Sequence, residues 1–348
     1  MSNRICVLGF FDYDGKYLDG QIVKTRNVYK LLQQYHPGPI SSFNTMGVRR
    51  NPFLLFKLLW ELIRCKTLVI IPAHNNLTYT LPVAYYLSKL FGYHIVLICI
   101  GGWQVEFFGG SDQFKPHPRQ LKISKKIRAF LPEMKIVEEE LVRRFEFKNI
   151  EMFPNFRFFD TTVQQIENKS ETLKLVFFAR INKQKGYHTV FKFADQIIAN
   201  NYNIIIDFYG PVNANDIDDF NALVDKYKSC VRYLGVLKED VVTAHLVNYD
   251  VVLLPTQYYT EGLPGTVLDA YIAGLPVIAT EWKHSHEFID DNKSGFIVPF
   301  YDCQKDFNDK ILTLYNDRQM LSEMKKQAFQ KRLLYSSEYA WSILSKYL

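Results

Sequence analysis

The chain has 348 residues, of which 48% are apolar and 22% are charged. These are the proportions of a globular chain, and they exclude a wholly disordered or fibrous protein. The length favours two domains, which can bury their cores without disulfides. The five cysteines are scattered and never spaced as C-x-x-C. That pattern argues against a disulfide framework or a zinc site and for a reducing compartment.

The net charge of +6 is unevenly distributed along the chain. Residues 1–155 carry nine more positive than negative charges, whereas the remainder carries three more negative than positive charges. A nucleic acid, a phospholipid surface or a pyrophosphate-bearing substrate would each fit a basic first half. No Arg/Lys-Gly-aromatic or helix-turn-helix signature accompanies the charge, so we expect no nucleic-acid partner.

Short apolar runs rich in Val, Ile and Phe predict the strands, and polar segments of helix length separate them. In the first half these runs lie at 5–10, 40–43, 68–71 and 94–100. In the second half they lie at 173–178, 203–209, 231–236, 251–254, 276–279 and 295–298. Continuous apolar strands that alternate with helices predict two doubly wound α/β domains with parallel sheets. We place the domains at 1–160 and 161–320, followed by a helical tail over 321–348 that could pack back on the first domain.

Each of two segments in the first half fits either a helix packed on the core with a charged outer face or a surface that attracts anionic lipid. The segment 115–131 predicts a basic amphipathic helix on which Leu121, Ile127 and Leu131 share one face, and 49–66 is a second apolar segment with basic flanks. No secretory signal is visible, and the uncharged stretch 67–88 is too polar to span a bilayer. We therefore expect a cytoplasmic protein, with peripheral attachment to the inner face of the membrane as an open alternative.

The segment 253–280 contains the strongest candidate site. A predicted strand ends near Pro255, and Glu261-Gly262-Leu263-Pro264-Gly265-Thr266 leads into a helix that Gly274 ends. The glycines let a ligand approach the backbone, and a helix start offers unpaired N–H groups and a positive dipole end. Such a site suits a phosphate or diphosphate. Asp269, about one turn into the helix, could accept hydrogen bonds from a vicinal diol such as a ribose.

Two cations follow another predicted strand end. Arg180 and Lys185 come just after the strand at 173–178, where a guanidinium fork and a point charge can neutralise a diphosphate. Stabilising the negative charge on a departing diphosphate lowers the barrier to breaking a glycosidic bond.

The string E-G-L-P-G-T-V-L-D-A-Y-x-A-G-L-P-V-I-A-T resembles the E-x7-E signature of the retaining glycosyltransferases of family 4, which have the GT-B fold. Arg180 with Lys185-Gly186 resembles the R-x-x-x-x-K-G segment of that family, and the turns at Gly210 and Gly235 resemble its next two strand ends. The likeness is strong over 154–299 and weaker in the first half. Asp269 departs from the pattern, because the family usually has the longer Glu at this position.

The resemblance implies an activity and a division of labour. It implies two Rossmann-like domains facing across a cleft, the first binding the acceptor and the second the nucleotide sugar. The implied reaction moves a sugar from a nucleoside diphosphate sugar to a glycan or lipid-linked acceptor with retention, in the synthesis of a bacterial surface polysaccharide. No separate nucleophile is implied, since the donor phosphate itself takes the acceptor proton on the front face. We expect neither a metal nor any other cofactor.

The resemblance also assigns roles to residues of the second domain. Glu261 would contact the donor sugar, and Asp269 would hold the ribose hydroxyls. The backbone amides of Gly265, Thr266 and Val267 would hold the phosphates, within a donor-binding loop that includes Gly262, Leu263 and Pro264 and lies near Gly210 and Gly235.

The first domain supplies further candidates. Gly20 and Gln21 begin a predicted amphipathic helix and resemble the family's glycine loop that faces the donor phosphate, and Lys24 could reach into the cleft. Gly101 and Gly102 would admit the sugar closely, with Trp103 as an apolar wall; family members often carry a His in this loop, and this chain has none. His74 could contact the acceptor. Asp12-Tyr13-Asp14 matches the D-x-D metal motif without matching surroundings, so we predict no metal there.

Two other functions stay open. A non-catalytic nucleotide-sugar-binding or membrane-scaffold protein of the same fold is favoured by Asp269 and by the absent His. A nucleotide-sugar epimerase of similar architecture would convert its donor without an acceptor. The sequence argues against a dehydrogenase or a P-loop kinase, because neither G-x-G-x-x-G nor G-x-x-x-x-G-K-[ST] follows a predicted strand.

Overall fold

The computed structural model describes residues 3–12, 20–45, 51, 53–72, 74–112, 114–163 and 170–348. The chain divides into two compact units. Unit 1 consists of Met1–Phe158 together with Leu334–Leu348, and unit 2 consists of Phe159–Leu333. Each unit contains one parallel sheet with helices, as the alternation of buried strands and helix-length segments predicts.

Unit 1 is built on a five-stranded parallel sheet with the order β2-β1-β3-β4-β5. Its strands are β1 (Ile5–Gly9), β2 (Ile40–Asn44), β3 (Thr67–Ile71), β4 (His94–Ile98) and β5 (Ala129–Leu131). The helices between and after them are α1 (Gly20–Tyr35), α2 (Leu54–Arg64), α3 (His74–Phe91), α4 (Gln104–Gly109), α5 (Pro118–Ser124) and α6 (Lys135–Phe145). β1 and β3 are buried along their whole length, which explains why they are apolar except for Thr67 at the start of β3.

Unit 2 is built on a six-stranded parallel sheet with the order β11-β10-β9-β6-β7-β8. Its strands are β6 (Leu173–Phe178), β7 (Ile204–Tyr209), β8 (Val231–Tyr233), β9 (Val251–Leu254), β10 (Val277–Thr280) and β11 (Gly295–Val298). Its helices are α7 (Tyr187–Asn200), α8 (Ile217–Lys226), α9 (Val242–Leu246), α10 (Gly265–Ile272), α11 (Ser285–Phe288), α12 (Gln304–Asn316) and α13 (Arg318–Lys331). The strand order reverses between β6 and β9, the point at which open α/β sheets bind ligands.

The last helix returns to unit 1. α14 (Ser337–Leu344) places Ala340, Ile343 and Leu344 in the same apolar core as Val28 of α1. α13 instead packs against α10 and α12 and contributes to the core of unit 2. The range 321–348, predicted from the sequence as one helical tail, is therefore divided between the units after Leu333. The first segment of unit 1 ends at Phe158, two residues before the predicted boundary at residue 160.

The predicted helix over 115–131 is confirmed over Pro118–Ser124 and wrong beyond that point. α5 ends at Ser124, and residues 129–131 form β5, which pairs in parallel with β4. Phe130 and Leu131 are fully buried, so pairing with the neighbouring strand takes precedence over the helical periodicity of the basic residues. The sequence thus predicts part of a lipid-binding helix at residues 129–131, where the protein has a buried strand of the unit 1 core.

Across the described residues, no helix combines the length and the apolar character that crossing a membrane requires.

The five cysteines are free thiols, and four of them are buried. Burial raises the pKa of Cys6 to about 11 and that of Cys65 to about 12. These thiols are therefore protonated at neutral pH and behave as small apolar core residues.

Candidate functional site

The candidate site lies at the carboxyl edge of the unit 2 sheet. β6 and β9 are hydrogen-bonded neighbours and parallel, so the loops that follow them meet at one edge. The backbone N–H of Gln257 donates to the carbonyl of Gln184 at 2.7 Å, and Thr256 Oγ1 donates to the same carbonyl at 3.3 Å. These bonds fix the loop after β6 against the loop after β9.

Two glycines make the close approach of these loops possible. Gly186 follows the 3-10 turn Lys183–Lys185 with φ +78°, and a Cβ there would lie 1.8 Å from the carbonyl oxygen of Pro255. Gly210, with φ +138°, would place a Cβ 1.9 Å from the carbonyl oxygen of Ala179. Any side chain at either position would collide with backbone, so both glycines are required by geometry.

Lys185 and Glu261 form the ion pair at the centre of this edge. Lys185 Nζ donates to both Oε1 and Oε2 of Glu261, each at 2.6 Å. Thr256 Oγ1 donates to Oε2 at 3.2 Å and so holds the carboxylate from a second side. Both charged side chains are mostly buried, which strengthens the attraction over that of a surface pair. The structure thus brings together two residues that lie 76 positions apart in the sequence.

Arg180 supplies a second cation after the same strand. Its side chain is exposed, and no hydrogen bond or ion pair engages it within the residues described. A solvated guanidinium of this kind remains available for a bidentate contact to a phosphate.

α10 begins at Gly265, with Pro264 preceding it in an extended conformation. Val267 N–H donates to the carbonyl of Pro264 at 3.0 Å, whereas the N–H groups of Gly265 and Thr266 bond to nothing in the described part of the chain. Thr266 Oγ1 donates to the carbonyl of Phe178 at 2.6 Å, which fixes the helix start against the end of β6. Two backbone donors are thus open at the positive end of the helix, while the donor of Val267 is already engaged.

The remaining donor-loop residues differ in exposure. Leu263 and Pro264 are buried, and Gly262 is half-buried. Asp269 lies one turn into α10 and is half-buried, as the position of the helix start predicts.

Gly210 and Gly235 meet at the ends of β7 and β8. Gly210 N–H donates to the carbonyl of Gly235 at 2.9 Å, and Tyr233 Oη donates to the carbonyl of Gly210 at 3.0 Å. Gly235 has φ +83°, and a Cβ there would meet no described residue within 4 Å. Glycine is therefore favoured at this position by the positive φ and not by a close contact.

Lys24 of unit 1 is buried instead of reaching outward. It is 2% exposed, and its ammonium donates to Glu133 Oε1 at 3.4 Å and to the carbonyls of Cys99 and Phe153 at 3.4 and 3.1 Å. Burial lowers the pKa of the Lys24 ammonium, and the charge of Glu133 acts in the opposite direction. All three donors of the ammonium are occupied, so Lys24 organises the interior of unit 1.

Glu133 connects this buried cation to the loop after β4. Its Oε2 accepts the backbone N–H of Gly101 at 2.7 Å, where Gly101 has φ +73°. Trp103 Nε1 donates back to the carbonyl of Ile100 at 2.7 Å, and its ring meets that of Phe107 edge to face. The Gly101-Gly102-Trp103 turn is therefore held by Glu133 and by its own indole, with all three of its residues half-buried.

The other candidates of unit 1 are less defined. Gly20 is the first residue of α1 and is exposed, and Gln21 Nε2 donates to the carbonyl of Ile71 at 3.4 Å. His74 is the first residue of α3, and its side chain lies outside the described residues. Of the D-x-D string, Tyr13 and Asp14 lie outside them as well, while Asp12 is buried and its carboxylate lies 3.7 Å from Arg26.

Thr256 and Glu133 are not among the residues predicted from the sequence. Thr256 follows the strand end at Pro255 directly, so its position could have singled it out as a first polar residue of the loop. Glu133 follows the apolar run at 129–131 in the same way. Because this run is predicted to be part of a helix, no strand end is expected before Glu133. Considering only the described ranges, no cluster of three or more His, Cys, Asp or Glu side chains could hold a metal ion.

Known proteins resemble this chain in sequence and in structure. The family model described as glycosyl transferases group 1 matches residues 158–331, half of the chain and nearly all of unit 2. An uncharacterized 41.2 kDa protein in the cps region of Klebsiella pneumoniae is 30% identical over 142 residues, covering 40% of this chain and 36% of that protein. The amylovoran biosynthesis glycosyltransferase AmsK of Erwinia amylovora is 27% identical over 142 residues, covering 38% of this chain and 34% of AmsK. The chain thus matches about a third of the length of these relatives.

Solved structures resemble the whole chain. HepE of Anabaena, crystallised in complex with UDP, aligns with a TM-score of 0.73 at 13% identity, over 99% of this chain and 98% of HepE. The predicted fold class is confirmed, since the chain has two parallel-sheet α/β units and structural neighbours with the GT-B glycosyltransferase fold. Together with the family model that spans unit 2, these features show that the chain belongs to the glycosyl transferases of group 1.

Proposed function

We propose that this protein moves a sugar from a nucleoside diphosphate sugar to a glycan or lipid-linked acceptor, with retention of configuration, as a family 4 enzyme. The observation that carries the proposal is the Lys185–Glu261 pair, held beside the open start of α10 at the carboxyl edge of the sheet. Cations, open amides and a carboxylate at one edge fit the two parts of such a donor, its diphosphate and its sugar.

The diphosphate would bind the positive groups of this edge. Arg180 has no competing partner among the described residues, and the Lys185 ammonium has three donors, of which Glu261 takes two. The open N–H groups of Gly265 and Thr266 add backbone donors and the positive helix end. The charge of the phosphates would thus be balanced before the bond to the sugar breaks, so that little reorganisation is needed in the transition state.

Glu261 would contact the sugar, and Asp269 would accept hydrogen bonds from the ribose hydroxyls. The fixed position of the Glu261 carboxylate, between Lys185 and Thr256, suits an acceptor for sugar hydroxyls. Its negative charge also favours the positive charge that develops at the reacting carbon in glycosyl transfer.

The proposed step balances without an enzyme nucleophile. The acceptor oxygen forms a bond to the anomeric carbon on the face from which the phosphate leaves, and the bond from that carbon to the phosphate oxygen breaks. The acceptor proton goes to the departing phosphate, so the products are the glycosylated acceptor and a nucleoside diphosphate. Arg180 and Lys185 stabilise the charge of that leaving group, and no metal is assigned to the step.

We place this transfer in the synthesis of a bacterial surface polysaccharide. The support comes from relatives, one named for amylovoran biosynthesis and one from a cps region. UDP in the crystals of HepE supports a nucleoside diphosphate as the donor's leaving group.

The test is a screen of uridine, guanosine, adenosine and thymidine diphosphate sugars for binding and turnover. We expect one nucleotide class to raise the melting temperature and its sugar to be transferred or slowly hydrolysed, with release of the nucleoside diphosphate. Tight binding without any turnover, with extracts supplying acceptors, would instead identify a non-catalytic binding protein. Conversion of the donor to another nucleotide sugar would identify an epimerase.

A further inference from the structure

α2 of unit 1 exposes an apolar stripe along its whole length. Phe56, Leu59, Trp60 and Ile63 follow the i, i+3, i+4, i+7 spacing of one helical face, and all four are exposed, Phe56 to 71%. Leu62, on another side, is the residue of α2 that the core of unit 1 buries. A helix that is apolar on nearly every side is normally covered on every side.

α3 exposes a second stripe of the same kind. Tyr79, Val83, Tyr86 and Leu90 are spaced by four, three and four residues, which places them on one helical face. Tyr79 is 77% exposed and Leu90 is 72% exposed, while Leu77 and Leu81 on the opposite side are fully buried. The side of α3 that carries this stripe is thus not the side that packs on the core of unit 1.

The two stripes lie on the same face of the unit 1 sheet. In the order β2-β1-β3-β4-β5, the crossovers from β2 to β3 and from β3 to β4 run in the same direction. Parallel crossovers are right-handed, so α2 and α3 cover the same face as neighbours. We call the eight exposed residues of the two stripes, with Phe53 at the start of α2, the apolar face of unit 1.

Positive charge surrounds the apolar face. Four exposed cations belong to or border these helices: Lys57, Arg64, Lys89 and Arg119. Three of them lie over aromatic rings, at 5.3 Å for Arg64 and Trp60, 5.2 Å for Lys89 and Tyr85, and 5.6 Å for Arg119 and Tyr86. Glu61 is the one acidic residue in the sequences of α2 and α3, and it is already paired with Arg4 at 3.3 Å. The face therefore combines exposed apolar side chains with charged side chains that are all positive, apart from the paired Glu61.

We propose that the apolar face of unit 1 docks on an anionic phospholipid bilayer. Aromatic and aliphatic side chains would enter the boundary between headgroups and acyl chains, and the long Lys and Arg side chains would extend back to the lipid phosphates. A second copy of the chain fits this face poorly, because a symmetric contact would bring two sets of cations together. The apolar residues of this face lie outside the predicted helix over 115–131, and from that range α5 contributes Arg119 alone to the cations named above.

Vesicle binding tests this inference independently of sugar transfer, since it requires no donor or acceptor. The whole protein is sedimented with vesicles of phosphatidylcholine, with and without phosphatidylglycerol. We expect binding to the vesicles that contain phosphatidylglycerol and a decrease in that binding as salt is raised, because salt screens the attraction between the cations and the lipid. The Lys57→Gln, Arg64→Gln, Lys89→Gln variant should show weaker binding and a smaller effect of salt.

A triple variant, Phe56→Ser, Trp60→Ser, Leu90→Ser, tests the apolar contribution. We expect its partition coefficient to fall at least about tenfold, because three exposed side chains no longer leave water on docking. The matched control is Ile198→Ser, Ile217→Ser, Tyr301→Ser, which removes exposed apolar side chains of unit 2 and should bind as the unaltered protein does. All six substitutions are at exposed positions, so both variants should keep the melting temperature of the unaltered protein.

Three results would overturn the inference. The first is that the unaltered protein fails to sediment with anionic vesicles. The second is that the apolar triple variant binds them as tightly as its control. The third is self-association in sedimentation velocity that the triple variant abolishes while vesicle binding is unaffected, which would assign the face to a second copy of the chain.

Discussion

Glu261→Gln is expected to reduce sugar transfer by at least about 100-fold, the effect typical of removing one charge-stabilising group from a transition state. Gln keeps the shape of Glu but loses its charge, and its amide NH2 cannot accept a hydrogen bond from Lys185 Nζ, which now reaches both carboxylate oxygens at 2.6 Å. Affinity for the nucleoside diphosphate should be largely kept, because a Lys185 released from Glu261 can turn to the phosphates.

The measurement pairs turnover with calorimetric binding of the nucleoside diphosphate. Glu239→Gln, at an exposed position of unit 2, is the matched control and should transfer sugar at the original rate. Thermal unfolding checks that both variants fold. Turnover by Glu261→Gln equal to that of the control would remove Glu261 from the site.

Gly186→Ala is expected to destabilise unit 2 by more than about 4 kcal/mol, the range of substitutions that force backbone to move. A Cβ at this position would lie 1.8 Å from the carbonyl oxygen of Pro255, and φ is +78°, where an L side chain is strained. Either the 3-10 turn Lys183–Lys185 must leave β9 or the end of β9 must shift. Both movements would break the bonds that join Gln184 to Thr256 and Gln257.

Chemical unfolding measures this loss, with Gly20→Ala as control. Among the described residues, a Cβ at Gly20 meets nothing within 4 Å, and Gly20 begins a helix, where Ala is tolerated. The control should therefore keep its unfolding midpoint or raise it slightly. An unchanged midpoint for Gly186→Ala would show that the loops after β6 and β9 are not in contact as described.

Most of the fold could be predicted because parallel sheets bury their strands on both faces. β9 is a continuous apolar run, and β3 and β6 are apolar except for Thr67 and Lys174, so the sequence displays these strands directly. β5 could not be predicted in this way. It has three residues, and the cations around it mimic the periodicity of a helix, while its true partner is β4, more than thirty residues earlier. Short strands depend on such distant pairing, which a single sequence does not reveal.

The candidate site was predictable as far as it depends on strand ends. Arg180, Lys185 and Glu261 all follow strands, and strand order then brings the loops of β6 and β9 together. Lys24 shows where this reasoning fails. A lysine one turn into a helix resembles a cleft residue in sequence, and only the positions of Glu133, Cys99 and Phe153 show that its charge is satisfied inside unit 1.

Binding of the nucleoside diphosphate to an Arg180→Ala, Lys185→Ala variant tests the central claim most directly. Calorimetry should show at least about tenfold weaker binding than in the unaltered protein, since charge-assisted hydrogen bonds to phosphate are worth about 1.5–3 kcal/mol each. Lys228→Ala, Lys238→Ala removes the same charge from exposed positions of unit 2 and should bind normally. If both double variants bind the nucleotide equally well, the diphosphate does not lie at the edge formed by Arg180, Lys185 and the start of α10, and the proposed donor site is wrong.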